Sequence, residues 1–147
     1  MEQQYQESIE TYNNLIRICA DGKEGYEHAA KNVEDPTMQM TFRRFAQERA
    51  QFMEQLQEQV AQLEGEPEHE GSVTGSLHRS WMDIKAALTS GNEESIIRAC
   101  ITGEESAISE YEAALKDTHM TPAARQVIAE QYSKIKQALA TIKAYTI

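Results

Sequence analysis

The sequence predicts an all-α protein, an antiparallel bundle of four long helices with a shorter helix between the second and the third. Three observations predict this class. Apolar residues recur at three- and four-residue steps, no stretch alternates in the manner of a β-strand, and the 3 prolines and 7 glycines lie mostly in or beside the breaks. The 147 residues fit one domain, residues 1–147, with one core.

The first two helices are predicted to form a tight hairpin. Helical periodicity runs over residues 3–33 and stops at Glu34-Asp35-Pro36. Asp35 is a good N-cap and Pro36 a good first residue for the second helix, which extends to about Leu63. Because the connection is short, we expect antiparallel neighbours. The inward positions predicted on the first helix are Ile9, Tyr12, Ile16, Cys19, Tyr26, Ala30 and Val33.

The segment between the two hairpins is predicted to hold the shorter crossover helix. Residues 64–72 form a polar break. An apolar stripe follows, with His78 and Arg79 on the polar side of the same helix. The stripe consists of Val73, Leu77, Trp81, Ile84 and Leu88.

A second hairpin completes the predicted bundle. Asn92 can cap a third long helix over about 93–117, and Thr121-Pro122 is a cap-plus-proline start for a fourth, which runs to about Tyr145. A weak internal repeat supports two related hairpins. The third helix echoes the first at Cys19 and Cys100, Gly22 and Gly103, and Glu24 and Glu105.

Composition argues against several classes of function. A net charge of −10 and a pI near 4.9 disfavour a nucleic-acid or anionic-membrane partner, since both need a basic surface. No apolar run approaches the roughly 20 residues of a membrane span, and the N-terminus MEQQYQESIE lacks the features of a signal peptide. Cys19 and Cys100 have no CxxC spacing, so a zinc site has no support. We expect a cytoplasmic protein with reduced, buried thiols.

One acidic residue lies on the predicted core face of the second helix. Phe42, Phe45, Phe52 and Leu56 share one helix face, and Glu48 falls between the phenylalanines at helical spacing. An inward carboxylate is costly unless a partner meets it. The function of the chain therefore depends on what meets Glu48.

Most of the chain is covered by four stretches that carry a family resemblance: CADGKEGYEHAAKNVEDP, FRRFAQERAQFMEQLQ, GSVTGSLHRSWMDIKAAL and CITGEESAISEYEAAL. They resemble a bacterial family of ferritin-like four-helix-bundle proteins with no assigned function, related in architecture to rubrerythrin. The resemblance implies a ferritin-like antiparallel bundle with a crossover helix, and a metal site within it. It implies no known reaction.

The metal ligands of this fold can be compared with the sequence. A ferritin-like di-iron site takes a Glu from each of two helices and a Glu-x-x-His from each of the other two. Here the second helix has ERAQ from Glu48 and the fourth has EQYS from Glu130, so both histidines are missing. We therefore predict a degenerate or all-carboxylate site and not a working di-iron oxidase. The candidate ligands are Glu27, Glu48, Glu104 and Glu105, with Fe or Mn as candidate metals.

Other interpretations stay open. Glu48 and Glu104 also fit a buried polar network that needs no metal. Its candidate members are Tyr26, Tyr111, Lys23 and Arg49. The alternative function is a carboxylate-ligated Fe- or Mn-binding protein with a redox or metal-handling role. We expect folding without metal in either case, because the apolar stripes are nearly complete.

A non-enzymatic interaction module is a second class of function. Ferritin-like bundles often pair through helix faces, which by analogy predicts a homodimer, while any other protein partner is unknown. The crossover helix, together with Met38, Met40 and Met53, is the candidate surface for such pairing.

Overall fold

The computed structural model describes residues 2–68 and 92–146, together with residue 86. Within these residues the chain forms four α-helices and a final 3₁₀ turn, and it contains no β-strand. The predicted all-α class is therefore confirmed. The helices are α1 (Glu2–Asn32), α2 (Pro36–Gln62), α3 (Glu93–Ala114) and α4 (Pro122–Lys143), and the 3₁₀ turn is Ala144–Thr146.

Side-chain caps explain where three of the helices begin. The Asp35 carboxylate accepts hydrogen bonds from the backbone N–H groups of Thr37 and Met38, at 2.8 and 3.3 Å. Asn92 and Thr121 cap α3 and α4 in the same way. A proline follows both Asp35 and Thr121 at the first helical position, where no N–H is needed. The three predicted caps are confirmed.

Contacts at the helix ends fix the order of the bundle. The backbone N–H of Glu34 lies 3.3 Å from a carboxylate oxygen of Glu93, so α3 begins beside the turn between α1 and α2. The hydroxyls of Tyr145 and Thr41 are 3.0 Å apart, so α4 ends beside the start of α2. Each helix is therefore antiparallel to both of its neighbours. Since α2 ends at the opposite end of the bundle, residues 63–92 connect the two ends.

The predicted crossover helix, with its stripe and His78-Arg79, lies outside the described residues. Within the parts of the chain that the structure describes, no helix combines the length and the apolarity that crossing a membrane requires.

The core consists of two apolar clusters, one toward each end of the bundle. The cluster beside the α1–α2 turn contains Tyr26, Phe42, Phe45, Cys100 and Ile142 among its buried residues. The cluster beside the α3–α4 turn is larger. Its buried members include Tyr12, Ile16, Cys19, Phe52, Leu56, Tyr111, Ile128 and Ile135. Between these clusters, near the middle of α2 and α3, lies a layer of charged residues.

Candidate functional site at the centre of the bundle

A buried ion pair separates the two apolar clusters. Nη2 of Arg49 on α2 donates hydrogen bonds to both carboxylate oxygens of Glu104 on α3, and each side chain is 3% exposed. The two helices lie diagonally across the bundle, so the pair crosses its axis. A carboxylate that accepts hydrogen bonds from a guanidinium on both oxygens is held in position.

Electrostatics keep the Arg49 guanidinium charged. Burial disfavours a charged guanidinium, but the adjacent Glu104 carboxylate outweighs that effect, and the pKa of Arg49 is raised. The Tyr26 ring also faces the guanidinium, with 5.6 Å between the Arg49 Cζ and the ring centroid. A ring face stabilises a cation at this distance, more strongly where water is excluded.

A glycine on α1 makes room for the arginine. A Cβ atom placed on Gly22 would lie 2.6 Å from Arg49 Nη1 and 3.6 Å from its Cγ. The first distance is well below van der Waals contact for carbon and nitrogen. Position 22 therefore admits glycine alone as long as the guanidinium keeps its place.

A chain of neutral hydrogen bonds lies beside the ion pair. The Tyr111 hydroxyl donates to Oε1 of Gln131 at 2.7 Å and lies 3.2 Å from the Cys19 sulfur. Because the one hydroxyl hydrogen points to Gln131, the Cys19 thiol is the donor in the second contact. Nε2 of Gln131 donates to the Phe52 carbonyl at 3.3 Å and to Gln55 Oε1 at 2.9 Å. This chain connects α1, α2, α3 and α4.

No three of the four predicted metal-ligand candidates form a group placed to hold a metal ion. Glu104 is the buried partner of Arg49, whereas Glu48 is only half-buried. Glu27 is half-buried and pairs with Lys23 at 3.3 Å. Glu105 is exposed and lies 3.9 Å from the Lys143 ammonium.

The placement of Glu48 on the core face was wrong. The buried residues of α2 at this level are Phe45, Arg49 and Phe52. Arg49 is four residues after Phe45 and three before Phe52, and it continues the repeat that includes Phe42 and Leu56. Glu48 and Arg49 both satisfy helical spacing from the phenylalanines. The partner on α3 decides between them, since Glu104 stabilises a buried cation and repels a buried anion.

These residues do not fit a dinuclear iron centre. Within the described parts of the chain, no group of three or more His, Cys, Asp or Glu side chains is placed to hold a metal ion. The one buried glutamate at the centre has both oxygens engaged by Arg49. The neighbouring groups are a thiol, phenols and an amide, which are not the carboxylate and imidazole set of that site.

Sequence reasoning missed two residues and undervalued a third. Gln131, which is 1% exposed, was considered only as a spacer after Glu130. Gly22 was considered only as the counterpart of Gly103 in the internal repeat and not as the space for a side chain. Arg49 appeared only among the candidate members of a polar network. The signal for Arg49 was its place in the three- and four-residue repeat of α2.

Burial suppresses the reactivity of both thiols. It raises the pKa of Cys19 to about 11 and that of Cys100 to about 12, and both side chains are buried. Since the thiolate is the nucleophile, we expect both to react with a thiol reagent at pH 8 orders of magnitude more slowly in the folded protein than in urea. Colorimetric titration measures both rates. Fast modification of the folded protein would contradict the burial of these thiols.

The described helices form a four-helix bundle with a ferritin-like fold. The chain is similar in fold to a solved structure of a Dps1 mutant from Mycobacterium smegmatis, with a TM-score of 0.78. The alignment covers 99% of this chain and 98% of the other at 9% sequence identity, so the likeness concerns the fold alone.

The family is shown by the sequence itself. The family described as "Domain of unknown function (DUF2383)" matches residues 7–117, which is most of the chain. The chain belongs to this family. No curated protein matches it.

Proposed function

We propose that this protein is a ferritin-like bundle that does not work as a di-iron oxidase and that acts through association with a second copy of itself. One observation carries the first part of the proposal. The glutamate at the centre of the bundle is bound by the guanidinium of Arg49, where a ferritin-like site requires carboxylates free to bind metal. The positive charge at the centre is thus the guanidinium of Arg49 and not a metal ion.

The second part, self-association, rests on the lack of a reaction that we can assign to the residues at the centre of the bundle. At the centre, the described buried thiol, phenol and amide bond to one another, and the buried carboxylate bonds to Arg49. We therefore propose that the function lies on the surface, and the predicted homodimer is the form of association that we propose. The relation to rubrerythrin and a bacterial, cytoplasmic setting stay predictions.

The carboxylate-ligated Fe or Mn site remains the alternative proposal. Its candidate ligands are still Glu27, Glu48, Glu104 and Glu105. To bind one ion together, Glu104 would have to leave Arg49, and Glu27 and Glu105 would have to leave their lysines. Removing Glu104 from a buried guanidinium is the costly step, because it leaves that charge unpaired.

Elemental analysis separates the two proposals. The protein is purified without a metal-affinity tag, loaded with Fe(II) or Mn(II) under anaerobic conditions, and desalted. We expect substoichiometric metal in the wild type and no change in the Glu48→Ala variant. The matched control is Glu24→Ala, which removes an exposed carboxylate from α1. Near-stoichiometric Fe or Mn that is lost in Glu48→Ala but kept in Glu24→Ala would establish the alternative and overturn the first proposal.

Chelation gives an independent prediction about stability. Since the ion pair and the two apolar clusters are complete within the chain, we expect a chelator to leave the melting temperature unchanged. Any ligand that binds only the folded state would raise that temperature, and its removal would lower it. Differential scanning calorimetry with and without chelator measures the effect. A fall of tens of degrees would show that a metal holds the fold together.

A further inference from the structure

One outward face of α2 carries a row of residues at alternating three- and four-residue steps. We call it the α2 row. Residues at such steps share one helix face, as in a coiled-coil seam. The row consists of Met40, Arg43, Gln47, Ala50, Glu54 and Gln57.

Most of the row is open to solvent in a single chain, whereas Gln57 at its end is half-buried and its Nε2 donates to the Glu68 carbonyl at 3.0 Å. Met40 is 70% exposed. In the described chain, the other exposed large apolar residue is Tyr5, at 42%. Arg43, Gln47 and Glu54 are exposed and Ala50 is half-buried. Met38 and Met53, which the sequence analysis had grouped with Met40, pack against the core clusters instead. Met40 is thus the methionine of that group that can meet a partner.

A shallow hollow of about 240 Å³ lies beside the middle of the row, between α1 and α2. Small residues, Ala46 and Ala50, form part of its lining, while Arg43 and Gln47 belong to its α2 side. On the α1 side lie Lys23 and Glu27, which already pair with each other. Small side chains at this level let a second helix approach to the near end of the usual 8–10 Å between packed axes.

The α2 row is complementary to a second copy of itself that runs in the antiparallel direction. Arg43 and Glu54 lie equally far from a midpoint between Glu48 and Arg49. Gln47 with Ala50, and Met40 with Gln57, share that midpoint. When two identical helices run antiparallel about a two-fold axis at the midpoint, each residue meets the other member of its pair.

We infer that the α2 row is the interface of a two-fold homodimer, with α2 packed antiparallel to α2 of a second copy. Arg43 of each copy then lies opposite Glu54 of the other, which gives two ion pairs for each dimer. Gln47 meets Ala50 beside the axis, and Met40 lies along Gln57 at both ends. A two-fold interface has this self-complementarity by necessity, because the same patch serves both sides. The inference rests on the proposed self-association and names its surface.

The chemistry of the row favours a second copy over another occupant. A chain of net charge −10 repels its own copies at long range, so close approach needs a local place where opposite charges meet. The α2 row provides one, since its single cation and its single anion face each other only in the antiparallel arrangement. One helix pair buries less surface than a standard interface of roughly 1,600 Å² in total. We therefore expect a dimer that dissociates on dilution.

Charge reversal tests the pairing. The variants are Arg43→Glu, Glu54→Arg and the double variant, studied by sedimentation equilibrium over a wide range of protein concentration. We expect each single variant to weaken the dimer by about tenfold or more, because each places like charges opposite one another twice. The double variant restores opposite charges and should return to within a few-fold of the wild type. It also keeps the wild-type net charge.

The control is Arg98→Glu, which makes the same charge change on an exposed position of α3, diagonally across the bundle from α2. We expect little effect on the dimer, and circular dichroism confirms that each variant is folded. A wild type that stays monomeric at every concentration would overturn both the proposed self-association and this interface. A dimer that is insensitive to Arg43→Glu, or single losses that the double variant does not restore, would overturn the interface alone.

Discussion

Replacing Glu104 by alanine is expected to lower the free energy of unfolding by about 3–5 kcal/mol, the usual cost of leaving one member of a buried ion pair without its partner. The variant leaves the Arg49 guanidinium, whose side chain is 3% exposed in the wild type, without a carboxylate. The alanine also leaves space in the centre of a close-packed bundle, which adds to the loss. Urea titration followed by circular dichroism measures the difference in free energy.

The informative control replaces both charges at once. Arg49→Met combined with Glu104→Leu substitutes apolar side chains for the pair, and we expect most of the stability lost in Glu104→Ala to return. Exchanging a whole buried pair for apolar residues is often neutral or stabilising by about 1–4 kcal/mol. A double variant as unstable as the single one would contradict this account, because the loss would then come from shape and not from an unpaired charge.

The stabilities of these two variants together test what the ion pair contributes to the fold. If the apolar double variant folds as well as the wild type, the pair is not required for stability, although each partner requires the other. The role that this result would leave to the pair is to fix an arrangement. A guanidinium at the centre sets the level at which α2 and α3 meet across the bundle, since its donors and the Glu104 oxygens coincide at one register. Such specification by a buried polar group is known from helical assemblies.

The fold was largely predictable because its signals are local. Asp35, Asn92 and Thr121 each begin a helix by accepting hydrogen bonds from backbone N–H groups two or three residues later. A side chain that acts on its own helix can be interpreted without a partner. The same holds for the prolines and for the apolar repeat. The helix α3 ends at Ala114, a few residues before the predicted end at about residue 117. After Ala114 the backbone N–H groups of Lys116 and Asp117 bond to carbonyls three residues earlier, as in a tighter turn.

The centre was less predictable because its residues act across the bundle. Glu48 and Arg49 are adjacent and both satisfy the spacing of the α2 core face, so the helix alone does not decide which is buried. Glu104 decides it from 55 residues away. Gln131 likewise has no sign of its role until Tyr111 and Gln55 are placed beside it. The spacing predicted a buried polar residue at this level, and the prediction took it to be the acid Glu48, where the structure buries the cation Arg49.

Gly22 provides the second test of the centre. The effect of Gly22→Ala on the free energy of unfolding should have opposite signs in the presence and in the absence of Arg49. In an otherwise ordinary helix, Gly→Ala stabilises by up to about 1 kcal/mol. Here the new methyl would lie 2.6 Å from Arg49 Nη1. The guanidinium has little freedom to retreat, since Glu104 holds it. Crowding of this kind costs about 1–3 kcal/mol, so we expect Gly22→Ala to destabilise the wild type by about 1 kcal/mol net.

In the Arg49→Met, Glu104→Leu background the same substitution should become stabilising, since the crowded nitrogen is gone and the helical preference of alanine remains. The coupling between position 22 and the pair is then the difference between the two effects, which we expect to be about 1–3 kcal/mol. Urea titration of the four proteins gives it directly. Equal effects in both backgrounds would mean that Gly22 serves the helix alone, and that the guanidinium of Arg49 does not depend on the space it leaves.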